Sequence, residues 1–213
     1  MTQIYDEQGH AQPVTVLEAG PCTVTQVLTD EANGYSAAQV GFGSKKLNKP
    51  ELGHVKEFAE KNVSFALLRE FPIEEGASFA KGEQLDVTQF EVGDIVAIRG
   101  TSKAKGFQGV VKRHGFKGGP GSHGMKHSLR APGSIGSAYP QRVMKGKRMA
   151  GRMGGVTHTT IGLRVVEVVP AKNLLVVRGA VPGNTGSYVE IQARPVRGNE
   201  GAQGVPASNG ASA

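Results

Sequence analysis

With 213 residues, 38% of them apolar, the chain is long enough to bury a core as one large domain or two small ones. Its one cysteine, Cys22, excludes an internal disulfide and a cysteine-based zinc site and fits a reducing compartment; no apolar run approaches the roughly 18 residues of a membrane span. The net charge of +7 conceals a division, because Ile95–Val166 holds fourteen Lys and Arg and no Asp or Glu, while the rest holds eleven basic and eighteen acidic side chains.

Charge segregated this sharply points to a polyanionic partner, nucleic acid before others. Met1–His10 lacks the basic-then-apolar order of a signal peptide, so a soluble, cytoplasmic protein is expected, with no membrane partner. The 31 glycines, about twice the usual share and without a collagen period, imply much tight-turn or close-approach backbone.

Four early stretches read as strands: Gln3–Tyr5, Val14–Glu18, Cys22–Thr29 and Tyr35–Phe42. Turn residues separate them, and Asn33-Gly34 between two strand-like runs is a hairpin signal. Lys45–Pro50 reads as a basic loop. Glu51–Lys61 has helical spacing, with Leu52, Val55, Phe58 and Ala59 on one face, and Phe65–Phe71 and Gln84–Val87 read as short strands. Residues 44–92 are therefore expected to form an α+β insertion in a β domain.

Strand character returns at Asp94–Gly100 and Gly109–Lys112, then lapses from Arg113 to Gly155, where Gly, Pro, Lys, Arg and His dominate. A structureless stretch this long inside a domain is normally functional or disordered. Thr160–Val169, Asn173–Gly179 and Ser187–Gln192 complete the expected strands. Residues 194–213 offer almost nothing to bury and are expected to be a disordered tail. Many short strands without strand–helix alternation favour a mainly β fold and a closed β-barrel.

The basic residues of the long segment come in small clusters separated by glycine: Lys103 and Lys105; Lys112 and Arg113; Lys145, Lys147, Arg148 and Arg152. Each cation can displace counterions from phosphates, and six to ten such contacts make affinity fall roughly 10³- to 10⁵-fold between low and moderate salt. Glycine lets the main chain approach a sugar–phosphate surface, and Arg adds planar, bidentate phosphate contact. His114, Phe116, His123, His127 and Tyr139 supply flat side chains able to stack on unpaired bases.

A basic disordered tail would carry the same charge. This segment, however, is internal, flanked by strands, and holds turn-specific pieces such as Gly118-Gly119-Pro120-Gly121. It reads as a loop that becomes ordered by burial in folded RNA. Roughly twenty residues per arm at about 3.3 Å each reach on the order of 60 Å.

Sharper chemistry finds little support. His123 and His127 are spaced as zinc ligands on a helix, but Pro120, Gly121 and Gly124 argue against a helix there and no carboxylate is near in sequence. Gly119–Met125 resembles a phosphate-binding loop, yet Met125 stands where its Lys is required. Cys22 reads as a packed side chain rather than a nucleophile. A Ser/His/Asp set is missing because the His-rich segment lacks carboxylates, so neither catalysis, a cofactor nor a small-molecule substrate is expected. Met144, Met149 and Met153 alternate with Lys, Arg and Gly, leaving core packing and apolar contact with RNA both open. The rivals are an RNA-modifying enzyme on a barrel, which needs a carboxylate or nucleophile against the basic surface, and a free chaperone that binds any strand by charge.

Gly100-Thr-Ser-Lys-Ala-Lys-Gly-Phe-Gln-Gly109, Val111-Lys-Arg-His-Gly-Phe116, Ser122-His-Gly124, Arg130-Ala-Pro-Gly-Ser-Ile-Gly136 and Lys145-Gly-Lys-Arg-Met-Ala-Gly-Arg-Met-Gly154 occur in this order. Together they resemble the bacterial form of the third large-subunit ribosomal protein family. Asn173–Gly183 resembles its closing strands and Pro13–Cys22 its opening ones. The resemblance implies a translation-protein-like β-barrel over residues 1–43, 93–111 and 156–193, with residues 44–92 inserted. It further implies a structural protein that binds large-subunit rRNA near its 3′ end, helps to start assembly beside neighbouring large-subunit proteins, and threads a loop over residues 112–155 toward the peptidyl-transferase centre.

On that reading the rRNA contacts fall to Lys103, Lys105, Lys112, Arg113, His114, Lys117, His123, Lys126, His127, Arg130, Arg142, Lys145, Lys147, Arg148 and Arg152. Two departures from the family pattern stand out. Members usually carry a further stretch before the position of Met1 that forms a first barrel strand. Ser137 stands where some bacterial members have a methylated glutamine, so that modification is not expected here.

Overall fold

A computed structural model describes residues 1–46, 53, 56–58, 63–73 and 79–193. The expected helix Glu51–Lys61 lies largely outside these residues, which retain only Gly53 and a 3-10 turn at Lys56–Phe58 within it. Most of the expected loop Lys45–Pro50 and the whole expected tail also lie outside them.

The mainly β expectation holds. Among the described residues the strands are β1 (Thr2–Tyr5), β2 (Ala11–Glu18), β3 (Cys22–Leu28), β4 (Ala37–Lys46), β5 (Val63–Pro72) and β6 (Gln84–Leu85). They continue with β7 (Ile95–Thr101), β8 (Phe107–Gln108), β9 (Gly151–Arg152), β10 (Thr157–Val169), β11 (Leu174–Arg178) and β12 (Val189–Ala193). One sheet has the order β1-β2-β11-β10-β7-β12, a second the order β5-β4-β3-β6, and β8 pairs with β9 alone. The described residues divide into two compact units, those within 1–97, 161–180 and 192–193 in the first and those of 98–160 and 181–191 in the second.

In the first unit β1 and β2 form a hairpin, and β2 also pairs antiparallel with β11, Val14 opposite Arg178 and Glu18 opposite Leu174. Val14, Val24, Val87, Val96, Val165, Leu175 and Val177 are fully buried. Each is worth roughly 1.5–3 kcal/mol relative to exposure. β4 pairs with β5 along its whole length, from Ala37 opposite Pro72 to Lys46 opposite Val63. The pairing thus runs through the expected boundary at residue 43. A register shift after Val24 leaves Thr25 as an extra residue, and its buried hydroxyl donates to Gln39 Oε1 at 2.8 Å.

One local expectation is met and one needs correction. β3 and β4 form the expected antiparallel hairpin, linked by a helical turn, α1 (Asp30–Asn33), that is closed by Gly34 at φ 76°. Asp30 and Glu31 favour the start of a helix electrostatically, and Gly34 takes the left-handed stop. The correction concerns Gly109–Lys112, expected as a strand, which instead opens α2 (Val110–His114). Two adjacent valines mimic a strand, but three basic residues followed by Gly115 at φ 72° form a helix-stop signal. Val110, 3% exposed, anchors this turn.

Candidate nucleic-acid interface

The second unit holds the acid-free loop, and backbone hydrogen bonds close its base. Ser102 N–H donates to the Val156 carbonyl at 2.9 Å, and Gly155 N–H to the Ser102 carbonyl at 3.0 Å. Lys105 N–H donates to Met153, and Met153 N–H to Gly106, both at 2.9 Å. The ribbon β8–β9 follows, with Phe107 opposite Arg152 and Gln108 opposite Gly151. Gly154 is required here: at φ 71° an added Cβ would sit 2.0 Å from the Lys103 carbonyl oxygen.

Next along the outgoing arm stands α2. Arg113 Nη1 donates to the Met149 carbonyl at 2.8 Å, and His114 Nε2 lies 3.0 Å from the same oxygen. A carbonyl oxygen has two lone pairs, so it can serve both. Gly151 has no side chain, and a Cβ there would come within 2.6 Å of Arg113 Nη1. Farther out, Gly119 N–H is shared between the carbonyls of Ser128 and Leu129, at 3.2 and 3.1 Å. Gly118, at φ 78°, crosses so closely that a Cβ would lie 2.0 Å from the Leu129 oxygen. The turn-specific glycines therefore allow main chain to pass against main chain.

Of the fifteen residues assigned to RNA from sequence, thirteen are exposed. Arg113 and His114 are half-buried, engaged with Met149. Among the described residues, Arg99 is the one Lys or Arg of Ile95–Val166 that pairs with a carboxylate, Glu190, at 3.7 Å. The remaining cations keep their charge uncompensated by protein among those residues. The arrangement can neutralise phosphates along an extended, glycine-paved surface.

His123 and His127 take isolated left-handed conformations, φ 62° and 59°, so they do not share a helix face. Among the described residues no group of three or more His, Cys, Asp or Glu could hold a metal. No helix among them is long and apolar enough to cross a membrane. Cys22, on β3 opposite Leu85, is half-buried; burial first, then the Asp86 charge, pushes its thiol above the ordinary value and keeps it protonated. It packs rather than attacks.

Met144 and Met149 are exposed and Met153 half-buried, which removes the core reading for the first two. Tyr139, 83% exposed, and Phe107, 76% exposed, stand out among the loop's apolar side chains. Phe107 escaped the sequence reading. Its only signal there is isolation, a lone aromatic between Lys105-Gly106 and Gln108-Gly109.

The family described as Ribosomal protein L3 matches residues 73–174. A protein of Prochlorococcus marinus subsp. pastoris named "Large ribosomal subunit protein uL3" is 50% identical over 205 residues, covering 94% of this chain and 93% of that protein. The chain belongs to the uL3 family. A uL3 protein of Syntrophobacter fumaroxidans is 46% identical, over 90% of this chain and 92% of its own length. The uL3 family is structural rather than enzymatic.

Proposed function

We propose that the chain serves as a structural constituent of the bacterial large ribosomal subunit, with its acid-free loop as the rRNA-binding element. The observation that carries this reading is electrostatic. A loop closed at its base by its own backbone presents thirteen exposed basic or His side chains, with no carboxylate paired to them among the described residues. Such a surface is stable only against a polyanion or in water, and relatives matched over more than nine-tenths of their own length are named as large-subunit proteins. The ribosome supplies rRNA and neighbouring proteins as partners and sets a cytoplasmic location.

The finer parts of the reading rest on the family resemblance. Residues 1–43, 93–111 and 156–193 form a closed barrel that anchors near the 3′ end of the large rRNA and nucleates assembly. Residues 44–92 are the inserted α+β subdomain. Residues 112–155 run toward the peptidyl-transferase centre.

Sedimentation of a cell lysate at high salt tests the proposal. Electrostatic binding alone is stripped under these conditions, whereas an interlocked component stays with the large subunit. Release into the soluble fractions would overturn the structural reading in favour of a free nucleic-acid chaperone.

A further inference from the structure

Phe107 stands on the ribbon β8–β9 directly opposite Arg152. Directly opposed residues of an antiparallel pair project from the same face with Cβ atoms about 5 Å apart. An aromatic side chain and an arginine side chain thus leave the base of the loop from the same face. The backbone on their base side is fixed through Lys105 N–H to Met153 and Met153 N–H to Gly106. The guanidinium is also placed: a Cβ on Gly155 would come within 2.8 Å of Arg152 Nη2, so the side chain lies back over that glycine.

A single exposed apolar residue needs no explanation in itself. Phe107 differs because of what surrounds it. The ring is 76% exposed, so it contributes little to the core, yet it sits on hydrogen-bonded backbone among Lys103, Lys105 and Arg152, in a segment with no acid. An apolar protein partner would leave those cations uncompensated. A nucleotide satisfies both halves of the site, because it offers a flat apolar face and a phosphate on one unit.

We propose that Phe107 and Arg152 form a clamp for one unpaired nucleotide of RNA, the ring stacking on the base and the guanidinium holding the phosphate. The inference rests on the RNA-binding reading above and adds a base contact to its phosphate contacts. It places an unpaired or bulged nucleotide, not a duplex, at the base of the loop, since a paired and stacked base has no free face.

The test uses the full-length chain and purified bacterial large-subunit rRNA. The chain contains no Trp, so Phe107→Trp introduces a single indole reporter. Its emission should be quenched as rRNA is added. Phe107→Leu should weaken binding about tenfold with an unchanged salt slope, because stacking releases no counterions, and Phe107→Tyr should bind as the wild type does. The exposed position should leave the melting midpoint of all three variants unchanged. Wild-type affinity in Phe107→Leu, or unquenched emission from Phe107→Trp bound to rRNA, would overturn the clamp and leave the RNA-binding reading standing. Failure of the wild type to bind would overturn both.

Discussion

The Arg113 guanidinium donates to the main-chain carbonyl of Met149 at 2.8 Å, fastening the outgoing arm of the basic loop to the returning one. One of the five N–H donors of that guanidinium is thus engaged by the protein. Arg113→Ala removes that bond and opens space beside Gly151. The expected cost is about 1 kcal/mol, the net worth of a partly solvated hydrogen bond. Amide exchange at Lys105 and Met153 should rise about fivefold through local opening, with the global melting midpoint unchanged. A variant with wild-type exchange at both amides would show that the Met149 contact does not hold the arms together.

Gly118 and Gly124 separate two reasons for glycine. Both have left-handed backbones, φ 78° and 77°, but a Cβ on Gly118 meets the Leu129 oxygen at 2.0 Å while one on Gly124 meets nothing within 4 Å. Gly124→Ala should cost only the conformational penalty, about 1–2 kcal/mol. Gly118→Ala must also break the crossing, so the Gly119 amide should lose its protection in that variant and keep most of it in Gly124→Ala. Equal exchange in the two variants would contradict the close crossing.

Asp6 governs the turn between β1 and β2. Its Oδ1 accepts from the amides of His10 at 2.7 Å and Gln8 at 3.1 Å, and its Oδ2 from Gln12 Nε2 at 3.3 Å. The His10 amide bond is the main reason that its carboxyl is held below the ordinary value of 3.8. A depressed folded-state pKa means stability that is present above 3.8 and lost as pH falls through the lower folded value. The His10 amide should therefore exchange faster once the pH drops below about 3.8, relative to the intrinsic rate. In Asp6→Asn that extra acid dependence should vanish; its persistence would assign the effect to another group.

Strand positions were legible because β2, β3, β10 and β11 are built from Val, Leu and Thr, whose branched side chains suit a half-buried pleated surface. The loop cations were legible from charge alone, and thirteen of the fifteen assigned residues are exposed. The sorting of strands into two larger sheets was not legible, since it depends on pairings such as β4 with β5 that local sequence does not specify. Nor were the ties inside the loop. Lys105 to Met153 and Gly119 to Leu129 join main-chain atoms far apart in sequence, through glycines that leave no periodic trace. At α2, local valine propensity pointed to a strand, and the cationic last turn with Gly115 prevailed.

Lys145, Lys147 and Arg148 are exposed, clustered in the returning arm, and unpaired with any carboxylate among the described residues. If each meets a phosphate of rRNA, each accounts for about 0.7–0.9 of the slope of log affinity against log salt. Replacing all three by Ala should therefore lower that slope by about 2 to 3 and weaken binding most at low salt. Lys81→Ala is the control: Lys81 is paired with Glu57 at 2.5 Å and lies outside the loop, so its loss should leave the slope unchanged. Filter binding to large-subunit rRNA between low and moderate salt reads both. An unchanged slope in the triple variant would mean that this arm approaches RNA without neutralising it, and would shift the electrostatic anchor to Lys103, Lys105 and Lys112 on the outgoing arm.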